Sequence, residues 1–121
     1  MGIQKWSEDI MVVDLNDEPQ LTDDLKVVAE QFKQNGDCDA VLDFTQVEII
    51  TSSTLSALLK LRKMLADCGR RLIFCNCSGA IRGVFKVTGL DEVFEFTDDK
   101  FVALATLQLV AKAGQSHEIF F

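Results

Sequence analysis

The chain switches repeatedly between short apolar runs and longer stretches in which apolar residues recur every three or four positions. Those two patterns belong to strands and to helices with one buried face. Ile3-Gln4-Lys5-Trp6 and Ile10-Met11-Val12-Val13-Asp14-Leu15 read as two strands, and the polar Ser7-Glu8-Asp9 between them suits a turn. After the loop around Pro19, Thr22 is placed to cap a helix with Asp23 and Asp24 in its first turn. Leu25, Val28, Ala29 and Phe32 make its apolar stripe, and Asn35-Gly36 ends it. Ala40-Val41-Leu42-Asp43-Phe44 is the kind of run that is buried in a parallel sheet.

A connector then leads through Ile49-Ile50-Thr51-Ser52-Ser53-Thr54 into a second helix over about 54–68. Leu55, Leu58, Leu59, Arg62 and Leu65 share its inner face, with Lys60 and Lys63 toward water and Gly69 as terminator. Residues 72–77 predict a strand. Ser78 caps a short helix with Ile81, Val84 and Phe85 inward, closed by Gly89. Val93-Phe94-Glu95-Phe96 alternates like an edge strand. Thr97 or Asp98 caps a last helix through about residue 113, with Phe101, Leu104, Ala105 and Leu109 available for packing and Gly114 ending it. The predicted order is β-β-α-β-α-β-α-β-α. It implies an α/β fold with a small mixed β-sheet and about four helices, the helices covering one face. The single domain spans 1–121, with a core over about 3–113 and a C-terminal tail over 114–121.

Composition narrows the function classes. The 121 residues suit one domain, and 48% apolar residues supply one core. A net charge of −7 argues against nucleic acid and against anionic membranes as partners. No apolar run approaches the roughly 20 residues of a membrane helix, and the first residues lack a signal-peptide pattern. Cys38, Cys68, Cys75 and Cys77 are then expected as reduced thiols in a cytoplasmic protein.

Three segments in order carry a family resemblance. Val41-Leu42-Asp43-Phe44 with Ile49-Ile50-Thr51-Ser52-Ser53-Thr54-Leu55 is similar to a strand, loop and Asp-Ser-Ser-Gly-Leu phosphorylation motif. Leu72-Ile73-Phe74-Cys75-Asn76 with Ser78 is similar to the following strand and turn, and Phe85-Lys86-Val87-Thr88-Gly89-Leu90 with Val93-Phe94 to a Thr-Gly-Leu segment. Together they resemble the STAS domain of bacterial anti-sigma factor antagonists and sulfate-transporter tails, and the likeness covers nearly the whole chain. The resemblance implies a STAS-like domain whose second serine, here Ser53, is phosphorylated by a partner kinase, with Ser52 as the alternative acceptor. Thr51 and Thr54 stand where the family pattern has Asp and Gly.

Hydroxyl residues at a helix start are also ordinary caps. A phosphate on Ser53 would meet free backbone N–H groups and the positive end of the helix dipole, while adding about −1.5 to −2 charges to the surface. The docking face expected around it comprises Thr51, Thr54, Ser56, Lys60 and Lys63. The leading expectation is a phosphorylation-controlled regulator that binds an anti-sigma factor or a serine kinase of the anti-sigma type. The alternative is a non-phosphorylated STAS module in a signalling or transport assembly. A third reading, a ligand binder or enzyme at the strand ends, requires a deep pocket there.

Other chemistry is thinner. Cys75 and Cys77 form C-x-C, expected on one strand face as small apolar residues; His117 is the only histidine and lies in the tail, so neither a metal site nor a catalytic triad is expected. Asp14, Asp43 and Glu48 are expected as surface carboxylates, and Gly79 and Gly83 as close-packing positions. No nucleotide-binding glycine loop is present, and no cofactor is expected.

Overall fold

The computed structural model describes residues 2–35 and 38–116, with side chains over 2–34 and 38–109. Gly36, His117 and most of the tail lie outside the described residues. The elements follow the predicted order: β1 (Gly2–Ser7), β2 (Ile10–Asp14), α1 (Gln20–Asn35), β3 (Asp39–Asp43), α2 (Ser52–Asp67), β4 (Leu72–Cys75), α3 (Gly79–Val87), β5 (Glu95–Thr97) and α4 (Lys100–Ser116). The five strands form one sheet in the order β1-β2-β3-β4-β5. Only the β1–β2 hairpin is antiparallel, and the other pairs are parallel.

The three central strands are buried on both faces, which is why they read as continuous apolar runs. Alternation then divides their side chains. Met11, Val13, Ala40, Leu42, Leu72 and Phe74 join the main core beneath α1, α2 and α3. Ile10, Val12, Val41, Ile73 and Cys75 face the other way, onto Ala103, Leu104 and Leu107 of α4. The helices therefore cover both faces, not one.

Several local expectations shift. Helix α1 starts two residues before Thr22, whose N–H and hydroxyl donate to the Glu18 carboxylate instead. In α2 the buried stripe is Thr54, Leu58, Leu61 and Leu65; Leu59 is 39% exposed, and Arg62 reaches across to donate to the Val93 carbonyl. In α4, Phe101 (79% exposed), Ala105 and Leu109 face outward. Asp99 rather than Thr97 or Asp98 accepts from the Val102 N–H at the helix start. The helix also continues past Gly114 to Ser116. Gly69 and Gly89 do end their helices with φ of +71° and +75°, which a side chain would strain.

Candidate functional site

The start of α2 is fastened from both sides before its hydroxyl residues appear. Phe44 and Val47 anchor the connector in the core, and the Val47 N–H donates to the Phe44 carbonyl at 2.9 Å. Asp17, in the loop after β2, accepts from the N–H groups of Glu48 and Ile49, both at 3.0 Å. Those bonds, the one from Ile49 first, hold its carboxyl below the ordinary aspartate value. Asp17 is a positioning residue that the sequence pattern could not reveal, because its partners lie 31 and 32 residues away.

Thr51 is the N-cap, in extended backbone. Its hydroxyl accepts from the Thr54 N–H at 3.2 Å, and the Thr54 hydroxyl accepts from the Thr51 N–H at 3.0 Å. This reciprocal capping box satisfies two helix-end donors. It also explains why Thr54 is fully buried, so the structure removes Thr54 from the exposed docking face. Thr51→Ala is expected to lower stability by about 1 kcal/mol, read as a shift in the denaturant midpoint at unchanged slope.

With the cap supplied by Thr51, Ser52 and Ser53 occupy the first turn and are exposed. Their hydroxyls have no hydrogen-bond partner among the described residues. No acidic residue stands in that turn. Ser53, Ser56, Lys60 and Lys63 fall along one side of α2, all exposed, and Lys63 pairs with Asp67 at 3.1 Å. Ser52, Ser53, Ser56 and Lys60 line a groove of about 390 Å³ against Thr22, Lys26 and Ala29 of α1. Leu25 and Leu61 contribute its apolar part.

The other candidates resolve differently. Asp43 is not a surface carboxylate: it is 7% exposed. It accepts from the Thr45 N–H (2.8 Å), the Thr45 hydroxyl and the Asn76 side-chain amide (3.2 Å), and pairs with Lys100 at 3.5 Å. Asp14, its neighbour in the β2–β3 register, pairs with the same Lys100 at 3.0 Å. The strand ends form only an open depression lined by Asp14, Leu15, Asp43, Thr45 and Gln46. Cys75 and Cys77 do not share a strand face. Asn76, at φ +57°, ends the strand between them, leaving Cys75 on the α4 side and Cys77 against the main core. Burial pushes both thiols up to about 12, which keeps them protonated and poor nucleophiles. Gly79 and Gly83 face open space instead of a packed neighbour. Among the described residues no three His, Cys, Asp or Glu side chains gather into a metal-binding group.

The fold recurs in solved structures. The protein TM1081 of Thermotoga maritima superposes with a TM-score of 0.78 at 16% identity, over 88% of this chain and 93% of that one. The unphosphorylated anti-sigma factor antagonist SpoIIAA gives 0.70 at 16% identity, over 88% and 96%. A sulfate transporter family protein of Wolinella succinogenes gives 0.75 at 19% identity, over 85% and 88%. At such identities the likeness establishes the fold. No curated protein sequence matches the chain significantly. The STAS domain family model matches residues 8–103, a span that includes the parallel strands, the capping box and the exposed serines of α2. With that match over most of its length, the chain belongs to the STAS domain family.

Proposed function

We propose that the chain is a regulator of the anti-sigma factor antagonist type, a cytoplasmic binding protein rather than an enzyme. It docks on an anti-sigma factor or a serine kinase of the anti-sigma type through the exposed side of α2. Phosphorylation of Ser53 ends the docking. The observation that carries this reading is the division of labour at the helix start: Thr51 and Thr54 make the cap, leaving the Ser53 hydroxyl exposed and unengaged. A kinase can reach it without unfolding the helix, and the first turn supplies N–H groups that tolerate a phosphate. Ser52, one position earlier and equally exposed, is the alternative acceptor. Thr51, Ser56, Lys60 and Lys63 surround the site as docking contacts.

The test is a binding comparison of wild type, Ser53→Ala and Ser53→Asp with a partner of that class captured on the wild-type protein. Ser53→Ala should bind like wild type. Ser53→Asp should bind at least about tenfold more weakly, the effect of roughly 1.4 kcal/mol of misplaced charge. Equal binding by all three proteins would refute the switch.

A second reading draws on the likeness to the sulfate transporter family protein and on Thr51 and Thr54 standing in the family's Asp and Gly positions. On this reading the domain is a constitutive module of a signalling or transport assembly. It predicts partner binding that ignores Ser53→Asp and no phosphate on peptides spanning residues 51–54.

A further inference from the structure

We propose that the groove between α1 and α2 is a built-in seat for the Ser53 phosphate, with Lys26 and Lys60 closing on it. This rests on Ser53 being the modified residue and names how the modification would act.

The fold sets the two helices side by side. Each connects one parallel strand to the next, and both lie on the same face of the sheet. They consequently run in the same direction, with their first turns at one end of the groove. Thr22, Ser52 and Ser53 mark that end, and Lys26 and Lys60 line the groove below it. Side chains on a helix lean toward its N-terminus. Lys26, one turn after Thr22, thus leans back toward the level of Ser53. Lys60 lies seven residues after Ser53 on the same side of α2, about 10 Å along the axis, and its four-carbon stem leans the same way.

Both cations are available. Among the described residues Lys26 pairs only with Asp23, at 4.0 Å and with both side chains more than two-thirds exposed. Such a contact is loose and readily exchanged. Lys60 has no ion pair among the described residues. The first turn of α2 offers hydroxyls and N–H groups and carries no carboxylate of its own. Among the described residues no carboxylate lines the groove itself; those nearest its mouth in the hydrogen-bond and ion-pair network are Asp23, paired with Lys26, Glu18, and Asp17, which is engaged by the Glu48 and Ile49 N–H groups ahead of the cap. Glu18 is held by the N–H and hydroxyl of Thr22. A phosphate is therefore driven away from the Glu18 side and toward the lysines.

Seated there, the phosphate does more than add charge. It fills the mouth of the groove and neutralises Lys60 of the docking side together with Lys26 of the neighbouring α1. A partner that brings carboxylates to Lys26 and Lys60 loses both at once.

The test installs phosphoserine at position 53 during translation, so that no kinase is needed. The ³¹P titration of this protein is compared with that of the same phosphoprotein carrying Lys26→Gln and Lys60→Gln. The second phosphate ionisation should fall lower in the wild-type scaffold by roughly half a unit, and Lys60→Arg should preserve the shift. The unmodified double variant should melt like wild type, which separates a charge effect from damage to the fold. Identical titration in the two phosphoproteins would overturn the seat, because the helix end alone would then account for the phosphate environment. A titration shift in a protein that carries no phosphate in growing cells would leave the seat standing and sink the regulatory reading instead.

Discussion

Phe74→Ala should destabilise the fold by about 3–5 kcal/mol and lower the melting temperature by roughly 10–20 °C. Phe74 sits at the centre of β4 and is fully buried. Its ring meets four others: Phe44 at 4.9 Å, Phe94 at 4.7 Å, Phe96 at 5.5 Å and Phe85 at 5.7 Å between centroids. The tilted and edge-on geometries among them each add to simple burial. Alanine would leave a cavity walled by rings carried on α3, on β5 and beside the ends of β3 and β5, so little collapse can refill it. The matched control is Phe101→Ala on the outward side of α4, which should stay within about 0.5 kcal/mol of wild type. Urea denaturation of the two variants gives the comparison. Equal losses would mean that the aromatic cluster does not organise this core.

Why Phe74 was readable from sequence and Phe101 was not is a matter of period. Short continuous apolar runs between polar punctuation mark strands covered on both faces, so the burial of Val41 and Leu42 was legible in the run 40–44, and residues 72–77 read as a strand of the same kind. Between residues 101 and 109, α4 is apolar almost all the way round. No single phase stands out there, and only packing against Ile10, Val12, Val41 and Ile73 selects Ala103, Leu104 and Leu107. Helix α2 has the same ambiguity among its leucines, resolved in favour of Leu58, Leu61 and Leu65. At the candidate site the lysine side of α2 was legible, but the cap was not: Ser53 suits a cap before a helix from about residue 54, whereas Thr51 takes that place and the helix begins at Ser52. The burial of Thr54 was hidden by its polarity, since the hydroxyl can go inside only when Thr51 satisfies it. Asp17 depends on Glu48 and Ile49, and Asp43 on Asn76 and Lys100 besides its neighbour Thr45; the topology brings these partners from distant segments, and local periodicity carries no trace of such pairs.

Asp43→Ala should cost about 3 kcal/mol, and Asp43→Asn about 2 kcal/mol, at neutral pH. The parallel register sets Asp14 and Asp43 side by side in the last row of the sheet, on the face covered by α4. Two neighbouring carboxylates would repel, but Lys100 at the start of α4 pairs with both. Burial alone pushes the Asp43 carboxyl up. The hydroxyl and N–H of Thr45, the Asn76 amide and the charge of Lys100 together outweigh it, so the group sits below its ordinary value. Asparagine keeps an acceptor for Thr45 but turns a donor toward Asn76 and Lys100, which also donate. A depressed value in the folded state fixes the sign of the pH dependence. The stabilisation is complete above the unfolded carboxylate value, about 3.9, and is lost as the pH falls through the lower folded value. The stability gap between wild type and Asp43→Asn should therefore be widest near neutrality and shrink below about pH 4. Taking the difference between the two curves cancels the titration of other carboxylates, Asp17 among them. A gap that stayed constant down to the acid transition would show that the ionised form of Asp43 adds nothing, and that Lys100 is held at the strand ends by Asp14 alone.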